Sequence, residues 1–219
     1  MIYRFLNHCF LLVVFYTGTV TAQYTTPPVA LAHYVFDSFR KGTVLQKNKT
    51  TMGQVLNYNV LTGEMIFESG GTYLAIAEPQ GVDTVYIESR RFVSVGAKFY
   101  EVLTTGAAPL FVEYKGTVQE PGASIGYGNA SNTTAASSVK SLISSGGAYA
   151  LQLPDHFQVI PHHNYWIYKN GTYQKANNAQ QLAKIFPDQK TKINALVNEN
   201  KTNFSKVAEV KALVQQLQQ

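Results

Sequence analysis

Residues 164–175 have the sequence NYWIYKNGTYQK, which is typical of an antiparallel β-hairpin. Strand-forming aromatic residues flank Asn170-Gly171, and this pair suits a two-residue type I′ turn because both positions tolerate a positive φ. A loop of that length places Tyr168 opposite Tyr173. One face of the hairpin then carries the residues of a candidate binding surface, namely Trp166, Tyr168, Tyr173 and Lys175.

The sequence leaves two interpretations of this aromatic face open. Flat tyrosine and tryptophan rings can stack on a sugar or a base, or anchor a protein partner. Rings that pair across strands also stabilise an ordinary hairpin, and the face can equally be covered by the helices predicted to follow it.

Upstream of the hairpin, short runs of strand-forming residues alternate with turns about every 8–12 residues. This spacing is typical of an all-β meander or sandwich. The connections are too short for parallel crossovers, so the predicted sheet is antiparallel. The predicted strands cover residues 29–36, 43–47, 54–59, 64–68, 72–77, 84–88, 98–103, 110–114, 148–153 and 157–160.

From Asn177 onward, apolar residues recur three and four positions apart, which predicts amphipathic helices. Pro187 interrupts the chain after the first helix, and Ser205 is the predicted N-cap of the third. Helices this short are marginal in isolation, so they are expected to dock on one another or on the sheet. The three apolar stripes are Leu182, Ile185 and Phe186, then Ile193, Leu196 and Val197, and then Val207, Val210, Leu213, Val214 and Leu217.

The predicted fold is therefore α+β. A β-rich antiparallel meander or sandwich covers residues 23–175, and a C-terminal helical segment of about three helices covers residues 176–219.

Residues 1–22 are predicted to be a Sec-type signal peptide. Arg4 supplies its positive charge, residues 10–16 are apolar, and Val20-Thr21-Ala22 offers small residues for cleavage. The only cysteine, Cys9, lies in this segment, so the mature chain is expected to be cysteine-free. No later apolar run is long enough to span a bilayer. The mature protein is expected in the periplasm or outside the cell, a location that argues against a nucleic-acid partner.

The positive charge is concentrated at the end of the chain. Residues 165–219 contain 8 Lys against 3 acidic residues. This surplus is either a solvated helical face or a contact with anionic lipid or polysaccharide. The candidate basic patch consists of Lys184, Lys190, Lys192, Lys201, Lys206 and Lys211.

No catalytic, metal-binding or cofactor-binding residue is assigned, and no cofactor is expected. Residues 122–126 (GASIG) match a nucleophile elbow at Ser124 but lack the flanking strand and helix. His162 and His163 are adjacent, so in a strand they point to opposite faces and do not easily share an ion. Further potential metal ligands upstream are Asp155 and His156. A hydrolase would have to bring together carboxylates of the predicted strands, which are Glu64, Glu68, Glu88, Glu101 and Glu113.

Four segments carry a resemblance to a known family. They are YWIYKNGTY (165–173), QLAKIFPD (181–188), LNYNVLTGEM (56–65) and DTVYI (83–87). Together they resemble a family of uncharacterised exported proteins of Bacteroidota. The resemblance implies a Gram-negative envelope and brings no known activity or catalytic residue.

The leading functional hypothesis is an exported, non-enzymatic envelope or secreted module that binds a glycan, a protein or a surface component. It follows from the predicted export, the β-rich architecture and the aromatic content. The alternatives are a secreted hydrolase whose acidic residues converge in space and a structural subunit of an envelope complex.

Overall fold

The computed structural model describes residues 31–119, 144–145, 148–149, 153 and 158–219. In these residues one antiparallel sheet of twelve strands is followed by three helices, which confirms the predicted α+β fold. The strands are β1 (Arg40–Gln46), β2 (Thr51–Asn59), β3 (Glu64–Ser69), β4 (Thr72–Ala75), β5 (Val82–Ile87), β6 (Arg90–Val95), β7 (Lys98–Val102), β8 (Leu110–Gln119), β9 (Ser144–Ser145), β10 (Ala148–Tyr149), β11 (Gln158–Lys169) and β12 (Thr172–Lys175). Their order across the sheet is β12-β11-β8-β7-β6-β5-β1-β2-β3-β4-β10-β9.

The sheet curls on itself, because strands far apart in its order meet. The Gly116 N–H of β8 donates to the Val60 carbonyl just after β2 (2.9 Å), and the Tyr58 hydroxyl donates to the Tyr114 carbonyl (3.2 Å). A Cβ on Gly116 would lie 2.7 Å from a Val159 methyl, so this close approach requires glycine. The curl encloses an apolar core of Phe36, Val44, Leu56, Tyr58, Val60, Met65, Val82, Val85, Ile87, Phe92 and Phe99.

The helices are α1 (Ala179–Ile185), α2 (Lys190–Glu199) and α3 (Val207–Leu217). Asn178 caps α1 by accepting a hydrogen bond from the Gln181 N–H (2.9 Å). The predicted cap of the third helix is wrong: Lys206 occupies the N-cap position of α3, and Ser205 instead donates to the Asn203 side chain.

The helices dock on one another and on the sheet. The apolar stripe of α3, from Val210 to Leu217, is buried together with Leu110 and Val112 of β8 and with Tyr165 and Ile167 of β11. Helix α2 contacts α1 and α3, so the two predicted ways of docking occur together. Within the described residues, no helix is long and apolar enough to cross a bilayer.

Several strand predictions differ from the structure. In the described part of residues 29–36, only Tyr34 forms a bridge, because the Asn57 side chain bonds the backbone N–H and C=O of Phe36. Strands β6 and β9 were not predicted, and the strand predicted at 72–77 ends at Ala75. The two strand segments predicted around Pro161 are one continuous strand, β11. Proline has no N–H to donate, and at position 161 the sheet does not require one. The opposite residue, Gly116, gives its N–H to Val60, so Pro161 and Gly116 are a pair without hydrogen bonds between β8 and β11.

Candidate functional site

The hairpin of β11 and β12 has the predicted register, with Tyr168 opposite Tyr173 and Trp166 opposite Lys175. Asn170 and Gly171 have φ values of 54° and 78°, as a type I′ turn requires. Directly opposed residues share a face of a sheet, so the four predicted surface residues lie together.

The helices cover the other face of this hairpin. Tyr165 and Ile167 are buried in the core beneath the helices, and successive residues of a strand point to opposite faces. Trp166 and Tyr168 therefore point away from the helices. The interpretation of the aromatic face as a surface covered by the C-terminal helices is wrong.

Two further rings complete this face. Tyr100 of β7 stacks on Trp166, with 6.0 Å between ring centroids, and meets the edge of Tyr173 at 5.9 Å. Phe111 of β8 contacts Tyr173 at 5.2 Å, and Tyr168 contacts it at 4.8 Å. These five rings, Tyr100, Phe111, Trp166, Tyr168 and Tyr173, are named the aromatic cluster.

A groove of about 330 Å³ adjoins the aromatic cluster. Phe111 and Tyr173 belong to both, and Arg91 of β6 brings a positive charge to the groove. The volume lies in the range typical of small-ligand sites. The lining residues are Thr84, Arg91, Val93, Val102, Thr104, Thr105, Gly106, Pro109, Phe111 and Tyr173.

The Glu113 carboxylate, which is buried beside the aromatic cluster, forms an ion pair with Lys98 of the same sheet. Glu113 of β8 accepts hydrogen bonds from the Lys98 ammonium (2.8 Å) and the Asn164 amide (3.1 Å). Burial disfavours the charged form of Glu113, but these two hydrogen bonds outweigh it and hold the pKa of the carboxyl below its usual value. Asn164 in turn accepts a bond from Asn177 (3.0 Å), which ties this face to the segment that leads into α1.

The second buried carboxylate, Glu101, lies on the opposite face from Glu113. It holds Arg90 through two hydrogen bonds of 2.9 and 2.7 Å and accepts a third from the Tyr114 hydroxyl (2.5 Å). Since Tyr114 and Glu113 are neighbours in β8, their side chains point to opposite faces. The two buried carboxylates therefore do not face each other, and each is bound to a cation.

The remaining predicted glutamates are dispersed. Glu64 accepts a hydrogen bond from Tyr149, Glu68 accepts one from the Gly71 N–H, and Glu88 lies 3.6 Å from Arg40.

The histidine pair lies in β11, and the two side chains differ in exposure as the strand alternation predicts. His162 is exposed, whereas His163 is half-buried against Tyr114, with 5.3 Å between ring centroids. Burial lowers the pKa of His163, and the neighbouring His162 lowers it further. In the described residues, no three His, Cys, Asp or Glu side chains form a group that could hold a metal ion. Ser124, Asp155 and His156 lie outside these residues.

All six lysines of the candidate basic patch are exposed on the helical segment. Two have partners there. Lys206 pairs with Glu209 (2.9 Å), and Lys192 donates to the Gln216 carbonyl at the end of α3 (2.8 Å). Lys211 lines a second, polar groove of about 470 Å³. The contact of this patch with an anionic partner stays a prediction.

Sequence reasoning found the hairpin half of the aromatic cluster and missed Tyr100, Phe111 and Arg91. These three residues come from strands distant in the chain, and only the pairing of β7, β8 and β11 brings two of them to the hairpin. Comparisons with known protein families, with curated proteins and with solved structures find no match for this chain.

Proposed function

We propose that this protein is an exported, non-enzymatic binding module and that it holds a glycan on the aromatic cluster and the adjoining groove. One observation carries the proposal: the helices cover the opposite face, so in the described part of the chain no helix covers Trp166, Tyr168, Tyr173 and the adjoining groove of about 330 Å³. The buried rings of Tyr100 and Phe111 support these three from below.

The chemistry of this surface favours a sugar. The C–H faces of a sugar ring pack against flat aromatic side chains, and hydroxyl groups find partners among threonine and arginine side chains. Thr105 and Arg91, which are both exposed, supply such groups in the groove. A protein partner needs about 800 Å² of surface on each side, whereas a concave groove of this size suits a small ligand or a short length of chain.

Export is part of the same proposal. The charge, the apolar run and the small residues of residues 1–22 support it, as does the resemblance to exported proteins of Bacteroidota. Mass spectrometry of protein recovered from the periplasm or the medium should give a mature chain that begins at Gln23 without a lipid. An intact Met1 in the cytosol would contradict export.

Glycan binding is tested with exposed apolar residues inside and outside the site. Tyr168, in the cluster, is 39% exposed, and Met52, on β2 and away from the cluster and the groove, is 47% exposed. Affinity electrophoresis of the purified protein through gels that contain neutral and acidic polysaccharides should show retardation. We expect Tyr168→Ala and Tyr173→Ala to weaken it by about tenfold, an ordinary loss for an aromatic contact residue, and Met52→Ala to leave it unchanged. Equal retardation of all three variants would place the ligand elsewhere.

A further inference from the structure

Two cations lie at the ends of a line of residues that crosses the aromatic cluster. The line runs over five neighbouring strands, from β6 to β12, at right angles to them. Val102, Phe111, Trp166 and Lys175 are paired from strand to strand. Arg91 continues the line on β6, because Arg91 and Val102 adjoin the paired residues Phe92 and Glu101 and both line the groove.

Both cations are available to a ligand. Arg91 and Lys175 are exposed, and within the described parts of the chain neither forms an ion pair. Lys98, on the same face, differs because Glu113 already neutralises it. Four strand spacings separate Arg91 from Lys175, a distance of about 19 Å. One sugar unit does not span such a distance, whereas an extended chain does.

We propose that the ligand is an acidic polysaccharide, a polyuronate, whose chain lies across the strands with carboxylate groups at Arg91 and Lys175 and sugar rings against the aromatic cluster. The inference rests on the proposed function, because it names the class of glycan that the same site takes. Positive charge at both ends of the line and rings between them match a chain that alternates carboxylates with apolar sugar faces.

The direction of the line favours a polysaccharide over an acidic peptide. An extended peptide binds a sheet by adding a strand to its edge, where the backbone N–H and C=O groups are unpaired. Along the line from β6 to β11, these groups are already used by the neighbouring strands. A ligand that crosses the strands on their face meets only side chains, which here are rings and cations.

The test compares three polymers by isothermal titration calorimetry with the purified protein. They are polygalacturonate, the same polymer after chemical reduction of its carboxyl groups, and poly-L-glutamate. The variants are Arg91→Gln, Lys175→Gln and their combination. Lys41→Gln, which removes an exposed lysine of β1, is the control.

We expect polygalacturonate to bind at least about tenfold more tightly than its reduced form. The double variant should lose this preference and keep its affinity for the reduced polymer, and Lys41→Gln should behave as the wild type. Salt should weaken only the binding of the acidic polymer.

Each contrary result has a distinct meaning. If the wild type binds the acidic and the reduced polymer with equal affinity, and Tyr173→Ala binds neither, the acidic ligand is overturned and the glycan site stands. Binding of poly-L-glutamate as tight as that of polygalacturonate would overturn the polysaccharide class. Failure to bind either sugar polymer, together with retardation in gels of another polysaccharide, would overturn the polyuronate and leave the glycan site standing. Failure in both assays would overturn the proposed function itself.

Discussion

The rings of Tyr100 and Trp166 lie nearly parallel, with 9° between their planes, although strand β8 separates their strands in the sheet. Each ring must therefore lean over β8 to reach the other. Trp166 is the only tryptophan of the chain, so its fluorescence reports on this stack.

The first prediction uses that fluorescence. A glycan bound on the aromatic cluster displaces water around the rings and should shift or quench the emission of Trp166 in a saturable titration. Tyr173→Ala should remove the saturable change, and Met52→Ala, on β2, should preserve it. A ligand that binds by calorimetry and leaves the emission constant would contradict binding at the cluster.

The second prediction concerns the hairpin turn. No atom lies within 4 Å of the position that a Cβ on Gly171 would take, so the new methyl group in Gly171→Ala meets no other residue. The substitution destabilises the protein only because residue 171 has a φ of 78°, which alanine rarely adopts. We expect a loss of about 1–2 kcal/mol in the free energy of unfolding, measured with urea. Gly53→Ala is the matched control, because Gly53 has equal space and no positive φ. It should cost nothing or stabilise slightly.

The third prediction concerns acid stability. Because the folded state lowers the pKa of Glu113, its charged form stabilises the protein above the usual carboxyl pKa. That contribution is lost as the pH falls from about 4.5 through the lowered pKa, since the unfolded chain then binds the proton first. Urea unfolding between pH 7 and pH 3 should show a shallower decline in Glu113→Gln. Replacement of the exposed Glu199 by Gln should leave the profile as in the wild type.

The fourth prediction concerns the helical segment. A chain truncated after Lys175 loses the cover of Leu110, Val112, Tyr165 and Ile167, so it should be insoluble or lack a cooperative unfolding transition. Leu213→Ala tests the same contact in the full chain and should cost about 2–5 kcal/mol. Lys211→Ala, at an exposed position of the same helix, should cost less than about 0.5 kcal/mol. A soluble, cooperatively folded truncation would show that the helices are dispensable.

The fifth prediction concerns the basic patch, for which truncation is not a usable control. Substitution of four lysines by Gln, at Lys184, Lys190, Lys201 and Lys211, keeps the fold while it removes charge. The wild type should co-sediment with anionic vesicles at low salt and be released near physiological salt, because each lysine contributes about 1 kcal/mol and the Debye length there is about 8 Å. The fourfold variant should not co-sediment. Equal sedimentation of both proteins would reduce the patch to a solvated surface.

Local signals explain what could be predicted from the sequence. Asn170-Gly171 predicts its turn without reference to the rest of the chain, and the periodicity after Asn177 predicts three helices. Strand β6 was missed because it follows the turn Glu88-Ser89, in which Glu88 adopts a φ of 54°. Neither residue is the glycine or asparagine that usually marks such a turn.

The orientation of the hairpin could not be predicted for a related reason. The alternation along the strand places Tyr165 and Ile167 on one face and Trp166 and Tyr168 on the other. Since the two faces are similarly apolar, the sequence does not say which face the helices cover. The pairing of β11 with β8 determines which face the helices cover, because Leu110 and Val112 join Tyr165 and Ile167 in the core beneath the helices.

The docking of α3 on β8 also bears on the folding rate of the protein. The Gln218 amide donates to the Ala108 carbonyl across 110 residues of chain, and Leu213 and Leu110 share one core across a similar separation. Folding must close a long loop before contacts of this kind stabilise the chain. Domains rich in such contacts fold more slowly than domains of similar size whose contacts are local.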